Sequence, residues 1–82
     1  MRIKKSEKRR EVRSYLDKAL QSMLRAIAYK NIHLAKEAIE AYQIGIMVGE
    51  EDYGMKPSEI RRYDQRVKDL PWSKEFPMPK ID

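Results

Sequence analysis

Residues 34–48, LAKEAIEAYQIGIMV, decide the fold because this stretch begins as an amphipathic helix and ends apolar on every side. Its first part places apolar residues three and four positions apart, with charged residues on the opposite face. Near its end, Ile44, Met47 and Val48 fall on or near the side that carries those charges. A helix that is apolar all round must be covered on all sides, so another part of the chain or another molecule is expected to pack there.

An antiparallel helical hairpin is predicted around this stretch. Residues 6–29 contain no Gly or Pro and are expected to form one helix, with Ser6 as the candidate N-cap. From Val12 to Ile27 its apolar residues recur at spacings of three and four. The second helix is expected over residues 32–48, with Asn31 as its N-cap and Gly49 as the residue that ends it. Because the break between the two helices is short, they are expected to run antiparallel.

A third, shorter helix is predicted over residues 57–69, because Pro57 suits a first helical position and a narrow apolar stripe follows it. The fold class is therefore all-α: a long antiparallel helical hairpin plus a shorter third helix, as in a small three-helix bundle. A single helical domain is expected over residues 6–70, after a basic arm at residues 1–5. Three of the four prolines lie in residues 71–82, which predicts an extended tail.

Positive charge is concentrated at the N-terminus. The chain has 18 Lys and Arg against 13 Asp and Glu, a net of +5; residues 1–14 contribute 7 − 2 = +5, and the remainder contributes 11 − 11 = 0. Lys5, Arg9 and Arg13 recur every four residues, so a helix aligns them as a stripe that can meet phosphates. The candidate nucleic-acid residues are basic side chains of this segment and of the third helix: Lys5, Lys8, Arg9, Arg13, Arg62 and Arg66.

This basic segment has a competitor within the chain. In an antiparallel hairpin the end of the second helix lies beside the start of the first, which places Glu50, Glu51 and Asp52 near residues 8–13. These carboxylates are expected either to neutralise the stripe or to leave it free for phosphate. Residues 49–56 separate the second and third helices, which is too long for the short turn of a helix-turn-helix. A solvated third helix is therefore favoured over a recognition helix.

Enzymatic chemistry finds little support in the residue types. The chain has no cysteine, one histidine and three scattered glycines, so it offers no thiolate and no phosphate-binding loop. His33, Glu37 and Glu40 share one helix face, but the first helix supplies no matching inward ligand for a metal. We expect a non-enzyme with no catalytic residues, cofactor, metal or small-molecule substrate. The apolar runs are too short to span a membrane, and a cytoplasmic location is expected.

Trp72 and Phe76 in the tail have two readings. They either anchor the tail in a partner's groove or fold back and cap the exposed end of the second helix, and the second reading is favoured because a small domain has few other ways to bury a tryptophan. The leading hypothesis is a small adaptor or regulator that binds another protein or a second copy of itself. The alternative is a nucleic-acid-binding accessory protein. The candidate protein interface consists of the apolar residues named above: Ile44, Met47, Val48, Trp72 and Phe76.

Overall fold

The computed structural model of the chain describes residues 5–80, which form three helices and an extended tail. The helices are α1 (Lys5–Tyr29), α2 (Ile32–Tyr53) and α3 (Pro57–Lys68). The first two pair as an antiparallel hairpin, and the described part of the molecule measures 47 × 24 × 20 Å. The all-α fold class predicted from the sequence is confirmed.

The turn between α1 and α2 forms as the sequence predicts. Lys30 adopts a left-handed conformation with φ of 53°, which reverses the chain after α1. Asn31 then caps α2, because its side-chain oxygen accepts a hydrogen bond of 3.1 Å from the backbone N–H of Leu34. At the other end of the hairpin, α1 already includes Lys5 and Ser6, so Ser6 is inside the helix and is not its N-cap. The rest of the predicted basic arm lies outside the described residues.

The predicted end of α2 is wrong, because the helix continues through Gly49 to Tyr53. Gly54 is the residue that takes the left-handed conformation, with φ of 65°, and its N–H bonds to the carbonyl of Gly49. Gly49 has a packing role instead: a Cβ atom there would lie 2.9 Å from Met55 Sδ and 3.2 Å from Val12 Cγ1. The glycine allows close approach inside a helix that continues. The connection to α3 is therefore only residues 54–56, so the expected separation over residues 49–56, too long for a helix-turn-helix, is wrong.

The core lies along the α1–α2 seam and continues under α3. Leu16 and Met23 on α1 are completely buried. On α2 the small residues Ala38 and Gly45 are buried. Ile39 was not predicted as a core residue, although its side chain is buried in the core cluster to which α3 contributes. The other buried members of that cluster come from all three helices and the α2–α3 loop: Ala19, Leu20, Tyr42, Met55 and Val67.

Helix α3 packs across one face of the hairpin. It begins at Pro57, as predicted, and Ile60, Tyr63 and Val67 contribute to the core. On the α2 side, the Tyr42 hydroxyl donates a hydrogen bond to the Asp64 carboxylate. Burial raises the pKa of Tyr42 far above its ordinary value, and the hydrogen bond to Asp64 raises it further.

The tail folds back onto the bundle, but not where the sequence reading placed it. The rings of Trp72 and Phe76 stack with centroids 6.2 Å apart, and Phe76 is buried against Ala26 and Ala35 beside the α1–α2 turn. The expected cap over residues 44–48 is therefore wrong, because the tail covers the opposite end of α2. The direction of α3 explains this, since α3 starts near the end of α2 and runs toward the turn, where it releases the tail.

Candidate functional site

The structure divides the predicted protein interface into two parts. Ile44 and Met47 are 52% and 51% exposed, and Val48 beside them is half-buried. Phe76 is only 8% exposed, and the half-buried Trp72 donates an indole hydrogen bond within its own chain. The two tail aromatics therefore serve the fold, and the surface that remains available is the apolar end of α2.

A groove runs beside this apolar surface, between the first half of α1 and the second half of α2. Its volume is about 370 Å³, and none of its lining residues belongs to α3 or the tail. At about 100° per residue, Tyr15 lies about 160° around α1 from both Arg13 and Asp17. Arg13 and Asp17 contact α3, so the groove is on the face of the hairpin away from α3. We call it the α1–α2 groove; its lining residues are Glu11, Val12, Tyr15, Ile44, Gly45, Val48 and Tyr53.

Gly45 shapes the floor of the α1–α2 groove. A Cβ atom at this position would lie 2.8 Å from Leu16 Cδ2 and 2.9 Å from Tyr15 Cδ1, so the glycine lets the two helices approach closely. Tyr15 itself is 43% exposed and forms one wall. The position of Tyr15 opposite Gly45 follows from the register of the two helices.

The apolar surface continues toward the turn of the hairpin. A second depression of about 240 Å³ lies between α1 and α2 farther along, and Tyr15 lines both. Its apolar lining includes Ala19, Leu34, Ala38 and Ala41. The exposed surface of the hairpin is thus an elongated apolar strip rather than an isolated spot.

Carboxylates surround this strip. On α2, Glu37 and Glu40 precede Ile44 by seven and four residues, and Glu51 follows it by seven, so all three lie on its side of the helix. Helix α2 has five acidic residues and one lysine, a formal charge of 1 − 5 = −4. We call the exposed carboxylates beside the strip the acidic rim: Glu11, Glu37, Glu40, Glu51 and Asp52.

The basic candidates gather at a different place. Arg13 from α1 and Arg62 and Arg66 from α3 line a pocket of about 420 Å³, together with Tyr63 and Glu59. We call it the α1–α3 pocket. The sequence reading named all three arginines, and the packing of α3 along α1 brings them together although they are far apart in the chain.

Two ion pairs cross the α1–α3 pocket. Arg13 pairs with Glu59 at 3.1 Å, and Arg66 pairs with Asp17 at 3.2 Å. Because these side chains are about one-third to more than one-half exposed, each pair contributes at most about 1 kcal/mol to stability. Burial raises the pKa of Tyr63; the charge of Asp17 raises it further, while Arg66, whose guanidinium lies 5.4 Å from the ring centroid, opposes the shift.

Arg13 of the basic stripe has an ion-pair partner other than the expected residues 50–52. Among the side chains that the structure describes, Arg13 is neutralised by Glu59, and no ion pair joins it to residues 50–52. Arg9 has another role, since its Nε donates a hydrogen bond of 2.7 Å to the carbonyl of Tyr53 at the end of α2. The side chains of Lys5 and Lys8 lie outside the described part of the chain.

Other candidate chemistry stays dispersed. His33, Glu37 and Glu40 are exposed, and within residues 5–80 no group of three His, Asp or Glu side chains is placed to hold a metal ion. In the same range no helix has the length and apolar character needed to cross a membrane. What the described surface offers is a charged pocket on one side of α1 and an apolar strip with an acidic rim on the other.

Comparison of the chain with protein-family models, with curated proteins and with solved structures finds no match. The two surfaces and their chemistry are therefore the basis for a functional proposal.

Proposed function

We propose that this chain is a small non-enzymatic protein-binding module, an adaptor or regulator, that docks its partner on the α1–α2 groove. The observation that carries the proposal is the exposure of Ile44 and Met47, about half of each side chain, on a face that α3 and the tail do not cover. Hydration of two long apolar side chains next to a groove is unfavourable, so their burial by a partner is favourable.

The contiguity of the strip separates it from ordinary surface residues. Single exposed apolar side chains are common on folded proteins and need no explanation. Here Tyr15, Ile44 and Val48 line one groove, and Met47 is next to it on α2. Tyrosine and methionine are enriched in protein interfaces, and complete burial of a side chain of this size is worth about 1.5–3 kcal/mol. Because about half of each side chain is already covered, a partner that buries these four residues gains roughly half of that value from each, which favours association without setting its affinity.

The test compares charge substitutions on and off the strip. Wild type, Ile44→Asp, Met47→Asp and Leu24→Asp are immobilised and used to capture proteins from a nuclease-treated native lysate, with quantitative mass spectrometry. Leu24 is the matched control, because it is 47% exposed but lies on the opposite side of α1 from Tyr15. We expect a dominant protein to bind wild type and Leu24→Asp and to be lost from both α2 variants.

Circular dichroism distinguishes a lost surface from a lost fold. The α2 variants are expected to keep the helical spectrum of wild type, since both positions are half exposed. Equal capture by all four folded proteins would overturn the proposal. Unfolding of Met47→Asp alone would show that Met47 belongs to the core, and Ile44→Asp then decides the question by itself.

A second candidate function is contact with nucleic acid through the α1–α3 pocket. It is favoured by Arg62, which is exposed and has no ion-pair partner among the described side chains, next to the paired Arg13 and Arg66. The three arginines and the two paired carboxylates leave 3 − 2 = +1 at the pocket. This small surplus makes the pocket the weaker candidate, because phosphate binding depends on several uncompensated cations.

Fluorescence anisotropy with a labelled oligonucleotide, at increasing salt, tests this second candidate. If the pocket binds phosphate, the Arg62→Gln/Arg66→Gln double variant weakens binding and lowers its salt dependence, whereas Arg25→Gln, an exposed arginine elsewhere on α1, loses less. The same affinity for wild type and the double variant would exclude the pocket as the site.

A further inference from the structure

We infer that the partner segment on the α1–α2 groove is a basic amphipathic helix. The inference rests on the proposed function, and it names the chemistry of the occupant. Two observations carry it, the excess negative charge of the acidic rim and the elongated shape of the strip, and the charge also disfavours other occupants.

The acidic rim differs from the other carboxylates near a helix–helix groove. In the α1–α3 pocket, Glu59 and Asp17 each have an arginine partner. Among the described side chains, none of the rim carboxylates takes part in an ion pair. Lys18 and Lys36 are nearby on the hairpin and Arg9 reaches the end of α2, but these three cations are fewer than the five carboxylates of the rim. A partner with Lys or Arg beside its apolar residues can therefore pair with rim carboxylates that have no ion-pair partner among the described side chains.

The same charge disfavours the other occupants. If two copies of the chain met symmetrically on this face, the two rims would face each other, and ten carboxylates would surround one apolar contact. A nucleic-acid backbone would bring phosphates to the same carboxylates. Both arrangements oppose like charges, whereas a basic protein segment does not.

The shape of the strip fits a helix. The apolar lining extends along α2 from Leu34 to Val48, a distance of roughly 20 Å at about 1.5 Å per residue. It lies in the valley between two antiparallel helices, where an additional helix completes a bundle. A helix in such a valley places apolar residues at positions i, i+3, i+4 and i+7 against the strip and carries its charges to the rim. Helix α3 and the tail already cover the other face, so the partner helix would cover the remaining face of the hairpin.

A displayed peptide library tests the inference without a known partner. The library consists of helix-forming peptides of about 16 residues, roughly 24 Å long, with random apolar, acidic, basic and neutral side chains. It is selected on wild type after depletion on Ile44→Asp, so that the retained peptides depend on the strip. We expect the retained peptides to carry a net positive charge with Lys or Arg beside an apolar stripe.

The strongest retained peptide is then measured by anisotropy against variants of the rim. Binding to the Glu37→Gln/Glu40→Gln/Glu51→Gln variant is expected to be weaker by about tenfold and less sensitive to salt. Glu75→Gln, a carboxylate of the tail beside Lys30, is the control and is expected to bind as wild type does.

The outcomes separate the two proposals. Retained peptides that are neutral or acidic, or a rim variant that binds as tightly as wild type, would overturn the basic helix and leave the docking face intact. A library from which nothing is retained after depletion on Ile44→Asp would overturn both. Self-association of wild type that Ile44→Asp abolishes, seen by analytical ultracentrifugation, would overturn the basic helix in favour of a second copy.

Discussion

The two ends of α2 show what an apolar surface does when the chain covers it and when it does not. Near the α1–α2 turn, Ala35 is fully buried beneath the stacked rings of Phe76 and Trp72. At the other end, Ile44 and Met47 remain about half exposed. The end of α2 near the turn thus stabilises the fold, while the other end remains available for binding. They differ because the tail covers only the first.

This comparison explains why composition alone is a poor guide to an interface. Phe76 and Trp72 were named among the candidate interface residues because aromatic anchors dominate many interfaces, although packing on their own bundle was the favoured interpretation. In the folded chain Phe76 is buried against Ala26 and Ala35. The less conspicuous Ile44 and Met47 keep their exposure, so it is the geometry of the fold that determines which apolar residues remain for binding.

The largest expected effect comes from removing the cover at the first end. Phe76→Ala should lower the free energy of unfolding by about 3 kcal/mol, because a buried ring is lost and the cavity above Ala26 and Ala35 cannot close completely. Ile44→Ala should cost less than about 1 kcal/mol, since half of its side chain already contacts water. Urea denaturation followed by circular dichroism measures both values.

Met78→Ala is the control for a general loosening of the tail, because Met78 follows Phe76 closely in the chain and is 41% exposed. It should resemble Ile44→Ala. Equal losses for Phe76→Ala and Ile44→Ala would break the distinction between a stabilising and an available end.

The local features of the fold could be predicted from the sequence because their causes are local. Asn31 caps α2 through a bond to a residue three positions away, and Pro57 starts α3 through its own fixed φ. Gly49 misled the prediction because a glycine ends a helix in one context and permits close packing in another. Gly49 lies close to Val12, 37 positions earlier in the chain, and no local pattern reveals that approach.

Individual residues of the candidate site could be predicted from the sequence, but their arrangement could not. The periodicity of α2 placed Ile44 and Met47 on its charged side, but their exposure depends on where α3 and the tail lie. Arg13, Arg62 and Arg66 were named as separate basic residues, and their convergence follows from the packing of α3 along α1. Tyr15 was missed as a wall of the groove because its partner Gly45 is on another helix.

The second prediction concerns the seam that joins the two sides of the hairpin. Gly45→Ala gains about 1 kcal/mol of helix propensity, but its Cβ would lie 2.8 Å from Leu16 and 2.9 Å from Tyr15. Because Leu16 is completely buried and cannot move freely, overpacking should exceed the gain, with a net loss of about 1–2 kcal/mol. Displacement of Tyr15 should also weaken any binding to the α1–α2 groove.

Gly49→Ala is the matched change four residues along the same helix. Its closest neighbour is the end of the flexible Met55 side chain at 2.9 Å, which can rotate away, so the packing loss and the propensity gain should nearly cancel. Thermal denaturation of the two variants compares them directly. A stabilised Gly45→Ala would mean that the seam beneath the groove is looser than its distances indicate.

The smallest of the three effects belongs to the polar contact that holds α3 on the covered side. Tyr42→Phe removes the hydrogen bond to Asp64 and should cost about 1 kcal/mol at neutral pH. The effect should depend on pH, because the unfolded chain ionises Tyr42 near its ordinary pKa of about 10 while burial holds the folded side chain protonated to higher pH. The stability that this difference contributes is complete below the unfolded pKa and is lost as the pH rises above it.

Wild type should therefore lose free energy of unfolding between pH 9 and about 11 more steeply than Tyr42→Phe does. A residual slope should remain in the variant, because the pKa of Tyr63 is raised in the same direction. Tyr29→Phe is the control, since Tyr29 is 76% exposed and its loss should leave the pH dependence unchanged. If wild type and Tyr42→Phe show equal slopes, Tyr42 ionises alike in both states, and the contact with Asp64 cannot be what fixes α3 to the covered side of the hairpin.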